Sequence, residues 1–410
     1  MSMAELKKAP YYQPQKGLFG IELKEFKGVR GCIPLETPTG ISIERLPPGA
    51  KPPSPPNHTT ESKKGEKQAR VPPPAQQSKT PQAKAKRKTI PTELEFEVCE
   101  NPPAFDLQDV PFAMDQLGWT VSAKLARTWF SSAAHIFNDD PRSEQPLNDS
   151  VVSLEWALRF GSVRKKYEKF LASDIYTPRA VGAATDAVKG FVRHLFESRN
   201  SNLSVDTSSF LGDLRNFHAE WQFQKLTISD GDTFNGLTLT DLTGSLANFN
   251  IYAAVGNVEI LAEKYFRYER GRTLYCLNAT GKITHIYVYV KDNYSFNGKQ
   301  YLGHWNKHGI IIAPGTWLTG SSSSKKDTDI DIWLKAINKP VDTRKGVFGK
   351  FKEPDVYFPV FNADYNRWRE KHQRGGDFMV YSKPLHLKLK KPIDLKLGEI
   401  CRPESLSSLG

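Results

Sequence analysis

The chain has 410 residues, 39% of them hydrophobic and 11% aromatic, which leaves room for two or three domains and a substantial core. No run approaches the ~18 apolar residues of a membrane span, and Met1-Ser-Met-Ala-Glu-Leu-Lys-Lys8 lacks the apolar stretch of a secretory signal. A soluble protein, cytoplasmic in its producer, is therefore expected, with any export by a route that needs no cleaved signal.

The net charge of +12 would suit an acidic partner. Residues 47–90, however, hold ten Lys/Arg against Glu61 and Glu66, so they carry +8 of it and the rest of the chain only +4. Nucleic acid is thus not the expected partner. The segment also contains ten prolines and no aromatic residue; it cannot bury enough apolar surface to offset its ordering entropy and reads as a disordered linker. The predicted organisation is an N-terminal arm over residues 1–46, with strand-like alternation near Gly17–Lys24 and a docking role, then the basic Pro-rich linker over 47–94. A helical subdomain over 95–205 and an antiparallel β domain over 206–410 follow.

Pro111 opens a helical pattern in which Leu117, Val121, Leu125, Trp129 and Phe130 share a face. Asn148-Asp-Ser150 supplies caps for a second helix with Leu154, Ala157, Phe160, Val163 and Tyr167 in register. Thr177-Pro178 starts a third, striped by Val181, Ala184, Val188, Phe191 and Leu195. These predict a compact bundle with Trp119, Trp129 and Trp156 in its core. After Asn200 the period falls to two. Phe217, Ala219, Trp221 and Phe223 alternate with polar residues as a half-buried strand. Further strands are predicted over Phe249–Val255 and Val258–Phe266, turning at Gly256-Asn257, and over Thr273–Leu277 and Ile283–Lys291, joined through Asn278–Gly281. Later strands fall at Ile310–Ile312, Ile330–Ala336, Phe378–Tyr381 and Leu385–Leu389, with a short helix from Asn362 through Trp368 that ends at Gly375-Gly376. The fold class is therefore α+β, a helical bundle followed by a mainly antiparallel sandwich or barrel.

Chemical signatures are sparse. The phosphate loop, the nucleophile elbow, His-Glu-x-x-His and Cys-x-x-Cys are all missing from the sequence. Cys32, Cys99, Cys276 and Cys401 have no paired spacing and read as four unpaired thiols in a reducing compartment. His304 and His308 stand four apart, but in a glycine-bracketed loop rather than a helix, so no metal site is expected there, and no cofactor. Asp230-Gly-Asp-Thr-Phe234 lacks the later ligands of a calcium loop and reads as a turn. Asp327, Asp329 and Asp331 read as charges protecting an edge strand. Arg367, Arg369, Lys371, His372 and Arg374 form a solvated basic helix face around a buried Tyr365 and Trp368. The richest stretch is Tyr287-Val-Tyr-Val-Lys-Asp-Asn-Tyr-Ser-Phe-Asn-Gly298 with Leu302-Gly-His-Trp305, a strand running into a loop crowded with hydrogen-bonding and stacking groups. Asp292 in it serves either as a general base or as a turn cap.

Three blocks carry a family resemblance: Val110-Pro-Phe-Ala-Met-Asp-Gln-Leu-Gly-Trp119 running into Ala126-Arg-Thr-Trp-Phe130, the Tyr289–Trp305 hairpin, and Gly376-Asp-Phe-Met-Val-Tyr-Ser382. Over roughly residues 105–390 the chain resembles the proteobacterial Domain of Unknown Function 6402. Where that family often reads Asp-Ser-Tyr-Asp-Phe and then Leu-Gly-Tyr-Trp, Asn293, Ser295 and His304 depart from it. The resemblance therefore favours Asp292, Tyr294, Phe296 and Trp305 and assigns no catalytic residue; with Asn297 of the same polar loop they are the expected binding set. It implies a setting beside type VI secretion spike genes. The expected function is an antibacterial effector or effector-associated protein, with a spike protein and an immunity protein as partners. The alternatives are a non-enzymatic adaptor of the apparatus and a nucleic-acid-binding or nuclease protein.

Overall fold

A computed structural model describes residues 11–17, 20–25, 41–49, 105–138, 144–233, 239–298, 300–311 and 356–403. The Pro-rich stretch from residue 50 on, Cys32 and Cys99, and the predicted strand Ile330–Ala336 with its neighbouring aspartates all lie outside the described residues. The chain opens with a hairpin of β1 (Tyr12–Gly17) and β2 (Gly20–Glu25). Residues 41–49 lie against the folded body. Leu107 N–H donates to the Ser42 carbonyl at 2.8 Å, the Ser42 hydroxyl donates to the Asp106 carboxylate at 2.8 Å, and Lys371 pairs with Glu44.

Asp106 accepts from Gln108 N–H while Asp109 accepts from Asp106 N–H, a reciprocal cap that launches a 3₁₀ turn and then α1 (Val110–Gln116). The long first helix predicted from Pro111 is in fact two, because Gly118 adopts φ +77° and ends the first before α2 (Thr120–Ser131) begins. After β3 (Leu147–Asn148), Asn148 caps only the loop N–H groups of Ser150 and Val151. Ser153 instead starts α3 (Leu154–Ala157), and α4 (Gly161–Ala172) follows separately. Thr177 caps α5 (Pro178–Lys189) with Pro178 in its first turn, and a 3₁₀ stretch carries on to Phe196.

β4 (Asn202–Asp206) leads to α6 (Leu214–Trp221), where alternation predicts a strand. Asp213 decides the matter locally: its carboxylate accepts from Arg215 N–H at 3.0 Å and Asn216 N–H at 3.2 Å. Phe217 and Trp221, four apart, then share the buried face of a helix. Next come β5 (Gln222–Ile228), α7 (Asp230–Thr233) and α8 (Asp241–Ser245). The four short strands predicted over residues 249–291 are two very long ones, β6 (Phe249–Glu269) and β7 (Arg272–Tyr294). Gly256-Asn257 is a bulge within β6, and Asn278–Gly281 is ordinary strand. The true turn is Arg270-Gly271, both left-handed at φ +51° and +74°, the two-residue geometry that matches strand twist. The chain finishes with β8 (Tyr301–Asn306), β9 (Gly309–Ile311), β10 (Phe358–Phe361), α9 (Asn362–His372), β11 (Phe378–Tyr381) and β12 (Leu385–Pro403).

The β6–β7 hairpin is the spine of a seven-stranded sheet. β5 and β4 lie end to end along β6, β11 and β12 lie end to end along β7, and β3 adds a short parallel pairing to β11. A second sheet has the order β10-β8-β9. Neither sheet closes on itself, so the barrel is corrected to open sheets in an α+β fold. The helices pack partly on the sheet and partly on one another: α5 on β5 and β12, α4 on β5, and α2 on α1 and α8.

The strand register overturns the reading of Cys276 and Cys401 as unpaired. β12 runs antiparallel to β7 so that Cys401 stands directly opposite Cys276, with Cα atoms 4.1 Å apart, and the two form a disulfide. The partners are 125 residues apart, so nothing in their spacing announces the pair before the register is known.

Candidate functional site

The predicted hairpin at Tyr289–Trp305 is a crossover. β7 belongs to the large sheet and β8 to the small one, and α9 ties down the connection. Asn362 Nδ2 donates to the Asn297 carbonyl at 2.6 Å and Asn366 Nδ2 to the Phe296 carbonyl at 2.9 Å. The predicted binding residues do not converge. Tyr294 stacks on Phe378 at 5.1 Å, Phe296 on Tyr365 at 3.7 Å, and Trp305 meets Trp119 edge-on at 6.2 Å; all three are buried. Asn297 is exposed, and Asp292 is half-buried within β7, opposite Val380. Protein crowds its carboxyl, and desolvation lifts that group well above the usual carboxylate range. His304 sits in strand β8, not in a loop; it is buried, with the Tyr301 hydroxyl on its Nδ1.

The basic helix α9 also departs from its predicted solvated face. Arg369 points inward and ion-pairs with the fully buried Asp377 at 2.5 Å. The same carboxylate accepts from Trp129 Nε1 at 2.8 Å and from Phe137 N–H at 3.1 Å, and the guanidinium lies 5.2 Å above the Trp129 ring. Gly375-Gly376 does not end the helix, which stops at left-handed Gln373. A Cβ on Gly376 would sit 2.3 Å from the Ala133 carbonyl oxygen, so only glycine lets this strand approach α2. This cluster is structural: it fixes α2 to α9.

The chemistry gathers on another surface. Beyond the bulge in β6, His285, Tyr287, Tyr289 and Lys291 recur at every second residue of β7, so they share one face. Neighbouring strands add Tyr252 from β6, Tyr381 from β11 and His386 from β12, and α6 lays His218 across them. Tyr289 stacks between Tyr252 at 6.0 Å and Tyr381 at 6.1 Å, and His386 stacks on Tyr287 at 4.7 Å. The Tyr289 hydroxyl lies 2.9 Å from His218 Nδ1. Burial raises the phenol of Tyr289 well above its ordinary value, so it stays protonated beside the imidazole with which it shares this hydrogen bond. Burial, then the nearby Lys291 charge, lowers His218 from 6.5 to about 4. Burial likewise lowers Lys291, with Asp292 opposing. The arrangement is a half-covered row of aromatic faces, a neutral imidazole and a desolvated ammonium, suited to binding through stacking, hydrogen bonds and charge.

This pairing predicts a pH dependence. The unfolded imidazole holds its proton below 6.5 and the folded one only below about 4, so in that window the unfolded chain binds more protons. Stability should fall as pH drops through it, by on the order of 2 kcal/mol once partial exposure is allowed for. Asp292, raised rather than lowered, works in the opposite direction, so the effect is read as the difference between wild type and His218→Gln in denaturant midpoints. Parallel curves for the two proteins would refute a buried neutral His218.

Sequence reasoning missed His218, Tyr252 and Tyr381 as site residues. His285-x-Tyr-x-Tyr-x-Lys291 was the available signal, an alternation with tyrosines where a solvent face usually has small polar groups. Among the described residues, the one group with metal-ligand spacing is Cys276, Glu399 and Cys401, and its two sulfurs are already bonded to each other. No helix among the described residues is long and apolar enough to cross a membrane. The sequence matches DUF6402, a family of unknown function, over residues 105–397. No curated protein and no solved structure matches the chain.

Proposed function

This chain belongs to the DUF6402 family, and from that premise we propose that it is an antibacterial effector, or a protein that travels with one, delivered by type VI secretion. The observation that carries this reading is the disulfide between Cys276 and Cys401. Such bonds persist in oxidising compartments and are rare in a reducing cytosol. A protein made in a reducing cytoplasm and oxidised on arrival at its destination would account for the bond. A spike protein would be its carrier and an immunity protein its antidote. Recognition would use the half-covered row around His218, Tyr289 and Lys291, with the desolvated Asp292 on the opposite face of β7 and the exposed Asn297 as further candidates, and Tyr294, Phe296 and Trp305 holding the crossover in place.

The test is expression in a bacterial host with and without a periplasmic export signal. Growth arrest is expected when the protein is exported, with relief by the product of a neighbouring gene. Asp292→Ala should abolish the arrest while changing stability by no more than about 1 kcal/mol, the range of a lost local hydrogen bond. Harmless expression in both compartments, together with stable capture of the spike protein, would replace the effector with the adaptor.

A further inference from the structure

We infer that Tyr381, Lys291 and Arg215 form a binding subsite for an oxyanion, a phosphate or a carboxylate, at the β11 end of the tyrosine and histidine row. The first observation is an unmet hydrogen bond. Tyr381 is 1% exposed, its ring is fixed by stacking on Tyr289, and its hydroxyl is buried without a partner. Buried hydroxyls are nearly always paired, and one that is not marks a place where a ligand or ordered water belongs.

The second observation is that two cations lie around this ring, Lys291 beside its face and Arg215 within electrostatic reach of its hydroxyl. Lys291 is the strand partner of Tyr381, and its Nζ lies 6.0 Å from the ring centroid. Arg215, on α6, is close enough for its charge to favour the ionised phenol. One of its terminal nitrogens is held by the Gln145 carbonyl, which orients the guanidinium, while its Nε is buried and unpartnered. Neither cation makes an ion pair among the described residues.

The nearest acids do not fill the gap. Asp213 is spent on α6, accepting from Arg215 N–H, Asn216 N–H and Asn216 Nδ2. Asp292 follows Lys291 in a strand and so projects to the opposite face, and desolvation favours its neutral form. A guanidinium, an ammonium and a phenol together offer donors for a small oxyanion, and the one carboxylate whose charge reaches the phenol, Asp213, is already engaged by three amide donors. His218 completes the wall without adding charge, since its Nδ1 is engaged by Tyr289.

The test is titration of the full-length protein with inorganic phosphate or with acetate at constant ionic strength, followed by thermal unfolding and calorimetry. A saturable rise in melting temperature is expected with at least one anion. Whether phosphate or acetate produces it identifies the class of ligand. Tyr381→Phe keeps the stacked ring and Lys291→Met keeps most of the stem. Each should weaken binding roughly 10- to 100-fold, the size of a hydrogen bond to a charged group. Lys282→Met, at an exposed position farther along β7, should bind as wild type does. No saturable response in wild type, or equal responses in Tyr381→Phe and wild type with native near-ultraviolet dichroism in both, would overturn the subsite.

Discussion

Asp377→Ala should destabilise the fold by about 3–5 kcal/mol, the cost of leaving a buried guanidinium without its counter-charge. Asp377 is fully buried and its carboxylate is used three times, by Arg369 Nη2, Trp129 Nε1 and Phe137 N–H. Truncation strands all three donors at once. The arrangement is specific rather than efficient, because Arg369 Nε and Nη1 are buried without partners and so recover only part of their desolvation. A paired replacement, Asp377→Leu with Arg369→Met, should therefore regain most of the loss, since it removes the stranded charges along with the pair. Urea unfolding of the three variants decides the point. A single-mutant loss near 1 kcal/mol would mean that water reaches Arg369 and that the network is not the lock between α2 and α9.

What the sequence disclosed follows the range over which each signal acts. The Thr177-Pro178 start of α5 is written into adjacent residues and was legible. So were the strand Phe378–Tyr381 and the strand character of Ile283–Lys291. Signals that compete locally were misread. Residues 217–224 alternate like a strand, but the Asp213 cap and the four-residue spacing of Phe217 and Trp221 turn the first half into helix. Turn-like pairs inside the long strands misled in the same way, since Gly256-Asn257 is equally good chemistry for a bulge.

Whatever depends on register was not legible at all. His218 meets Tyr289, Lys291 meets Tyr381 and Cys276 meets Cys401 only once β6, β7, β11 and β12 are aligned. The loop that looked richest in binding groups proved to be where the sheets exchange strands, and its aromatic residues are consumed in packing. A crossover between two cores and a recognition loop draw on the same aromatic and amide residues, so composition alone does not separate them.

Replacing both Cys276 and Cys401 by serine should cost on the order of 4 kcal/mol, because the bond closes a loop of 125 residues and long loops lose the most entropy in the unfolded chain when tied. The loss should be uneven. Beyond Ala262, among the described residues, β6 pairs as a strand only with β7, so the outer part of the hairpin is a ribbon of β6, β7 and the end of β12 that runs past β4. Phe266 and Tyr268 on it are 61% and 75% exposed, so its outer part buries little, while Cys276 and Leu277 are buried and Arg402 packs on Phe196 and Tyr275 at its base. The disulfide is the cross-link that fastens β12 to it. In the double variant, amide exchange should accelerate most over Leu274–Leu277 and Glu399–Pro403, next to the lost cross-link, while the buried Val288–Val290 in the body of the sheet keeps its protection. Wild-type protein under reducing conditions should behave as the variant does, with the ribbon looser in a reducing than in an oxidising compartment. If exchange rises uniformly along β7, or if reduction leaves the pattern unchanged, the disulfide is not what holds the ribbon, and the argument for an oxidising destination loses its basis.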